Sequence, residues 1–117
     1  MAGLREVVQG LARRDGVEAV VVVSPDGLPI DHVVTGGLDP EAVAALTATV
    51  AQGARGLGHV VESSELSTGV LEYQGRWVIF ASVGGEHLLL LLVRPDTNIG
   101  SLLYDLRRHA PAVASLL

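Results

Sequence analysis

Histidine is the side chain best placed to act as a general base or metal ligand near neutral pH, and the chain has His32, His59, His87 and His109. Their spacing supports neither role. They fall in different predicted elements, with no H-x-x-x-H pair and no H-E-x-x-H motif. Each therefore reads as solvated or hydrogen-bonded, with Glu86-His87 a solvated strand start beside a turn. Ser63-Ser64-Glu65 and Ser82 offer hydroxyls, but there is no G-x-S-x-G elbow and no accompanying His and Asp at a recognisable spacing. They read as turn and strand residues. Asp26 belongs to turn chemistry, and Asp31 to the exposed side of a strand. Gly53-x-x-Gly56-x-Gly58 lies inside a helical pattern, follows no strand and lacks the G-x-G-x-x-G order, and there is no G-x-x-x-x-G-K-[ST]. The expectation is no catalytic residue, no cofactor and no metal. Arg55 is a candidate hydrogen-bonding fork at an interface, less plausibly an arginine finger. Trp77, the single Trp, reads as core or sheet-face packing before a binding hot spot.

Composition narrows the classes further. At 117 residues and 49% hydrophobic content, the chain is expected to be one domain, residues 1–117, with a real core. The formal net charge is -5 and lysine is absent, so there is no positive stripe for nucleic acid. With no cysteine, thiolate chemistry, Cys-based metal sites and disulfides are excluded, which agrees with a cytoplasmic setting. Residues 1–14 lack a signal-peptide core. The longest apolar run, Leu88 to Val93, is too short to span a bilayer, and no membrane insertion is expected.

The elements follow from periodicity. Leu4, Val7, Val8 and Leu11 mark a short amphipathic helix, ended by Asp15-Gly16. Ala19 to Val23 is an apolar run suited to a strand covered on both faces. Ser24-Pro25-Asp26-Gly27 is a turn, and Leu28 to Val34 returns as a second strand that Pro29 confines to an edge or makes irregular. Asp39 caps and Pro40 opens a long helix to about Val61, its last turns weakened by Gly53, Gly56 and Gly58. Leu66–Tyr73, Arg76–Val83 and Leu88–Val93 are three strands joined by tight turns at Gln74-Gly75 and Gly84-Gly85. Ile99, Leu102, Leu103 and Leu106 stripe a last helix, expected to be interrupted near Pro111.

The long helix has two unusual faces. Val43, Leu46, Val50, Leu57 and Val61 are spaced to cover a core. At about 100° per residue, Glu41, Ala44, Ala45, Ala48, Gln52, Arg55 and His59 fall on the other side. That side is mostly small, and small residues let another backbone approach closely. The expectation is a helix buried on both faces, with partner contact as the function. Two fully apolar strands imply helices on both sides of one antiparallel sheet. The fold class is therefore α+β, a three-layer α/β/α sandwich with a five-stranded antiparallel sheet in the order α-β-β-α-β-β-β-α. Its tightly apolar strands argue against an internal ligand pocket.

Gly16-Val17-Glu18-Ala19-Val20-Val21-Val22-Val23, followed by Ser24-Pro25-Asp26-Gly27-Leu28-Pro29-Ile30, resembles the opening of the roadblock / dynein light-chain family. The resemblance covers essentially the whole chain and points to the bacterial MglB-like type. It implies the roadblock/profilin-like fold and a module without chemistry of its own. It implies a homodimer, paired through the long helix and the strand after it so that the sheet continues across two subunits. It further implies a small Ras-like GTPase as partner, regulated through the GTPase's own active site and in some members activated. The matching pairing residues are Ala44, Ala48, Ala51 and Arg55 on the helix and Leu66, Thr68 and Val70 on the strand. Glu41, Gln52 and His59 are the expected contacts for the partner. A scaffold or adaptor dimer in a motility, polarity or signalling complex is the alternative.

Overall fold

The computed structural model describes residues 3–63 and 65–117. Its elements run α1 (Leu4–Ala12), β1 (Val17–Val23), β2 (Pro29–Val34), α2 (Pro40–Val60), β3 (Thr68–Glu72), β4 (Trp77–Val83), β5 (His87–Val93) and α3 (Ile99–Ser115). This is the order read from periodicity. The strands form one sheet in the order β2-β1-β5-β4-β3, every pair antiparallel. The two all-apolar runs, β1 and β5, lie side by side in its interior, where both of their faces are covered.

Alternation along the strands divides the core in two. On one face Val20, Val22, Leu89 and Leu91 pack under Val8 and Leu11 of α1 and Leu102, Leu106 and Val113 of α3. On the other, Val21, Val23, Leu88 and Leu90 pack under Ala44 and Ala51 of α2. The three layers follow directly.

Local chemistry sets the ends of the elements. The Asp39 carboxylate accepts the Glu41 N–H at 3.0 Å, capping α2 with Pro40 in its first turn. The helix persists through Gly53, Gly56 and Gly58 to Val60. It closes with the Ser63 N–H on the Gly58 carbonyl at 2.9 Å and the Glu62 N–H on the His59 carbonyl at 3.2 Å. Glu62 takes the left-handed conformation (φ 56°) that this closure requires and that glycine usually fills. β2 is an edge strand whose register with β1 shifts between Val22 and Val23, opposite Pro29, as a strand Pro demands.

Two expectations need correction here. α3 is not interrupted at Pro111 but runs on to Ser115. Val113, beyond the proline, is fully buried in the α1/α3 core, and Ala114 packs beside it. That packing holds the last turn although Pro111 cannot donate its backbone hydrogen bond. His87 is not a solvated strand start: it is half-buried, and its Nδ1 is buried without a hydrogen-bond partner.

Candidate interaction surface

The orientation of α2 decides which surface the chain offers, and it is turned relative to the sequence reading. Ala44 and Ala51 are 0% exposed and Thr47 is buried between them, so the line Ala44–Thr47–Ala51 rests on the sheet. Leu46, Val50 and Leu57, expected in the core, are 67%, 41% and 63% exposed, and Val61 is exposed as well. Only Val43 of that set packs partly inward. A line of small side chains lets the helix axis sit close to β1, and the larger residues then lie on its flank rather than beneath it.

That flank overlooks an apolar groove. Val43, Leu46, Thr47 and Val50 form one wall, Leu71 and Tyr73 the other, and Val78, Phe80, Leu90 and Leu92 the floor, around about 170 Å³. Phe80, the single Phe of the chain, has its ring over Gly69 of β3: a Cβ there would stand 2.3 Å from its Cζ. The glycine in the edge strand thus makes room for the groove floor. Beside the groove β3 is a sheet edge.

The opposite flank of α2 meets the chain's own β1–β2 turn. Gly27 (φ +83°) comes close enough that a Cβ would be 3.5 Å from the Ala48 Cβ and 3.6 Å from the Ala45 Cα. Small helix residues do admit a close backbone, and that backbone is Ser24–Gly27 of the same chain. The Ser24 hydroxyl donates to the Asp26 carboxylate and accepts the Leu28 N–H at 3.0 Å. The bond from Ser24, with a further one from Asp26's own backbone N–H, holds the Asp26 carboxyl below its ordinary pKa. Gln52, Thr49 and Arg55 face this turn and Glu86 across a cleft of about 420 Å³. A second cleft of similar size has Arg55, His59, Ser63, Glu65 and Leu66 on its walls. The Arg55 guanidinium reaches the Glu86 carbonyl at 3.5 Å.

The expected pairing residues therefore separate. Ala44 and Ala51 are enclosed in the chain's own core and have no surface to offer. Ala48 lies under Gly27, and Arg55 lies between the two clefts. Leu66 is half-buried on the α2 side. Thr68 and Val70 are opposite Ala81 and Ile79 of the α1/α3 core, and Thr68 accepts a hydrogen bond from Arg107 of α3 at 3.2 Å. They point away from α2, because the period of two gives the α2 face to Gly69 and Leu71. Leu71 and Tyr73 are the residues that sequence reasoning missed. The alternation was visible, but not which parity faces α2. Glu41, Gln52 and His59 are exposed together on the turn-side flank.

The residues considered for chemistry fall at several places in the fold, with His59, Ser63 and Ser82 on the walls of one cleft. Among the described residues no three His, Asp or Glu side chains could share a metal ion. The His109 Nδ1 donates to the Asp105 carbonyl at 2.8 Å. Trp77 packs against the α1/α3 core. Ser82 donates to the Gly85 carbonyl at 2.9 Å within its hairpin. Ser63 ends α2, and Ser64 lies outside the described residues. No described helix is long and apolar enough to cross a membrane.

Known proteins share this architecture. The structure of Myxococcus xanthus MglB superposes with a TM-score of 0.89 at 18% identity, covering 97% of this chain and 93% of that one. A Roadblock/LC7 domain from Streptomyces avermitilis gives 0.85 at 22% identity, covering 97% of each. The Thermus thermophilus gliding protein MglB gives 0.82 at 18% identity over 97% of this chain and 87% of that one. In sequence, the uncharacterized protein MJ0714 of Methanocaldococcus jannaschii is 26% identical over 110 residues, 94% of this chain and 92% of that protein. The Roadblock/LC7 domain family model matches residues 4–93, and with three quarters of its length inside that match the chain belongs to the Roadblock/LC7 domain family.

Proposed function

We propose that the chain is a non-enzymatic homodimeric module that binds and regulates a small Ras-like GTPase, GTPase activation included, in the cytoplasm. The observation that carries the reading is the apolar flank of α2 beside the open edge of β3. Leu46, Val50 and Leu57 stand in water next to a groove floored by Phe80 and Leu90. Burying one such side chain is worth about 1.5–3 kcal/mol, and large contiguous apolar patches on a chain this small mark contact surfaces. A second copy sets its own α2 flank against the groove and its β3 edge against this one, so that one interface satisfies both the apolar side chains and the unpaired strand. Leu71 and Tyr73 join Leu46, Val50 and Leu66 in that interface. Thr68 and Val70 contribute through the β3 backbone.

Pairing on the groove side leaves the turn-side flank open. Glu41, Gln52 and His59, with Arg55 between its clefts, form the proposed contact for the GTPase. Resemblance to the MglB-like type, with MglB among the structural neighbours, supports a GTPase as the partner. These side chains are assigned to binding, and any effect on hydrolysis to reordering of the GTPase's own site. The test is capture of a Ras-like GTPase encoded beside the gene, loaded with GDP or with a non-hydrolysable GTP analogue. Preference for one nucleotide state, and a changed single-turnover hydrolysis rate, are expected. Equal capture of both forms contradicts the regulatory reading and favours the adaptor dimer.

A further inference from the structure

The sheet has two edges, β2 and β3, and they are finished differently. β3 pairs with β4 in unbroken register along its whole length. β2 carries Pro29 opposite a register shift, and at its middle both backbone groups of His32 are taken by side chains. The His32 N–H donates to Asp31 Oδ1 at 2.8 Å, and its carbonyl accepts from Arg5 Nη1 at 2.9 Å. The same Nη1 donates to Asp31 Oδ1 at 2.7 Å, closing a ring. In an antiparallel strand the N–H and C=O of one residue point to the same side. Side chains occupy these two rather than β1, so they lie on the open side of β2. Arg5 belongs to α1, so a helix packed beneath the sheet reaches round its rim to close the edge.

We propose that the Arg5–Asp31–His32 ring is an edge guard: it occupies the backbone pair that a strand of a second copy needs in order to add to β2. The inference takes its purpose from pairing at β3. A chain that pairs at one edge stops at two copies, whereas a chain that pairs at both extends without closing. The edge has need of a guard, because Leu28 and Ile30 stand exposed along it, and an open apolar edge strand recruits further strands.

The test is the double variant Arg5→Ala/Asp31→Ala, read by multi-angle light scattering over a concentration series and by hydrogen exchange at the Ile30–Val34 amides. The expected result is a concentration-dependent rise to at least about twice the wild-type mass, with protection of the β2 amides that grows in parallel. Adding Ile30→Lys is expected to return the mass to the wild-type value, because like charges on an edge repel. Arg5→Met, which keeps the apolar stem but cannot donate, is expected to give the same growth and serves should the double variant fail to fold. Unchanged mass and unprotected β2 amides in a folded variant overturn the proposal. A monomeric wild type contradicts pairing at β3 instead, and the guard is then judged by whether the variant gains mass over that monomer.

Discussion

Gly69 has no side chain because Phe80 occupies the space one would fill. Alanine there meets the ring at 2.3 Å, and either β3 or the groove floor must move. Overpacking of this kind costs about 1–3 kcal/mol. Gly69→Ala is expected to lower the unfolding free energy by that amount, read as a lower urea midpoint at an unchanged m-value, and to weaken self-association beyond the stability loss, since the floor of the proposed interface shifts with the ring. Asp26, in the turn between β1 and β2, accepts a hydrogen bond from the Ser24 hydroxyl. Its carboxyl lies below the ordinary aspartate value because Ser24 donates to the ionised form. A depressed folded-state pKa adds stability above the unfolded-state value and loses it as pH falls through the folded one. Ser24→Ala is therefore expected to raise the Asp26 pKa toward the ordinary value, read by NMR titration, and to flatten the acid limb of the stability curve. A titration unchanged by Ser24→Ala would show that the hydroxyl is not the cause.

Elements were legible to the degree that their own residues decide them. Asp39-Pro40, the Ser24–Gly27 turn and the apolar runs of β1 and β5 act locally, and each element they mark forms as read. The facing of α2 was not legible, because it depends on how closely the helix approaches β1, a property of the sheet rather than of the helix. Large residues at core spacing looked like the buried stripe. The small line Ala44–Thr47–Ala51 won because it lets the helix and sheet backbones come together, with the Ser24–Gly27 turn closing over Ala45 and Ala48. Ala51→Arg tests this packing: a charge forced against Val21 and Leu90 is expected to cost more than about 3 kcal/mol by chemical denaturation. Retained stability would mean that this face is free. α3 was misjudged for a related reason, since Val113 holds the turn beyond Pro111. Pro111→Ala restores a donor without touching that packing and is expected to raise stability by about 1–2 kcal/mol in the same assay.

For the whole molecule, three layers leave one apolar flank, one polar flank and two unlike sheet edges. Family membership was legible from the β1–β2 opening and the element order, and the Roadblock/LC7 match agrees. The residues of the contact surface were legible only in part. Glu41, Gln52 and His59, on a face expected to be buried, are exposed, and the proposed apolar contact moves from Ala44 and Ala51 to Leu46, Val50, Leu57, Leu71 and Tyr73. Parity along β3 and rotation of α2 are tertiary facts, and both enter that reassignment. A stable association of this kind covers about 800 Å² on each partner, and the proposed contact draws on the α2 flank, the groove beside it and the β3 edge. The most direct measurement is the mass in solution of the wild type and of Leu46→Glu at micromolar concentration. The account expects twice the 12.2 kDa chain mass for the wild type, and the single-chain mass for Leu46→Glu with the fold retained by circular dichroism. A monomeric wild type, or an intact dimer in Leu46→Glu, would contradict it.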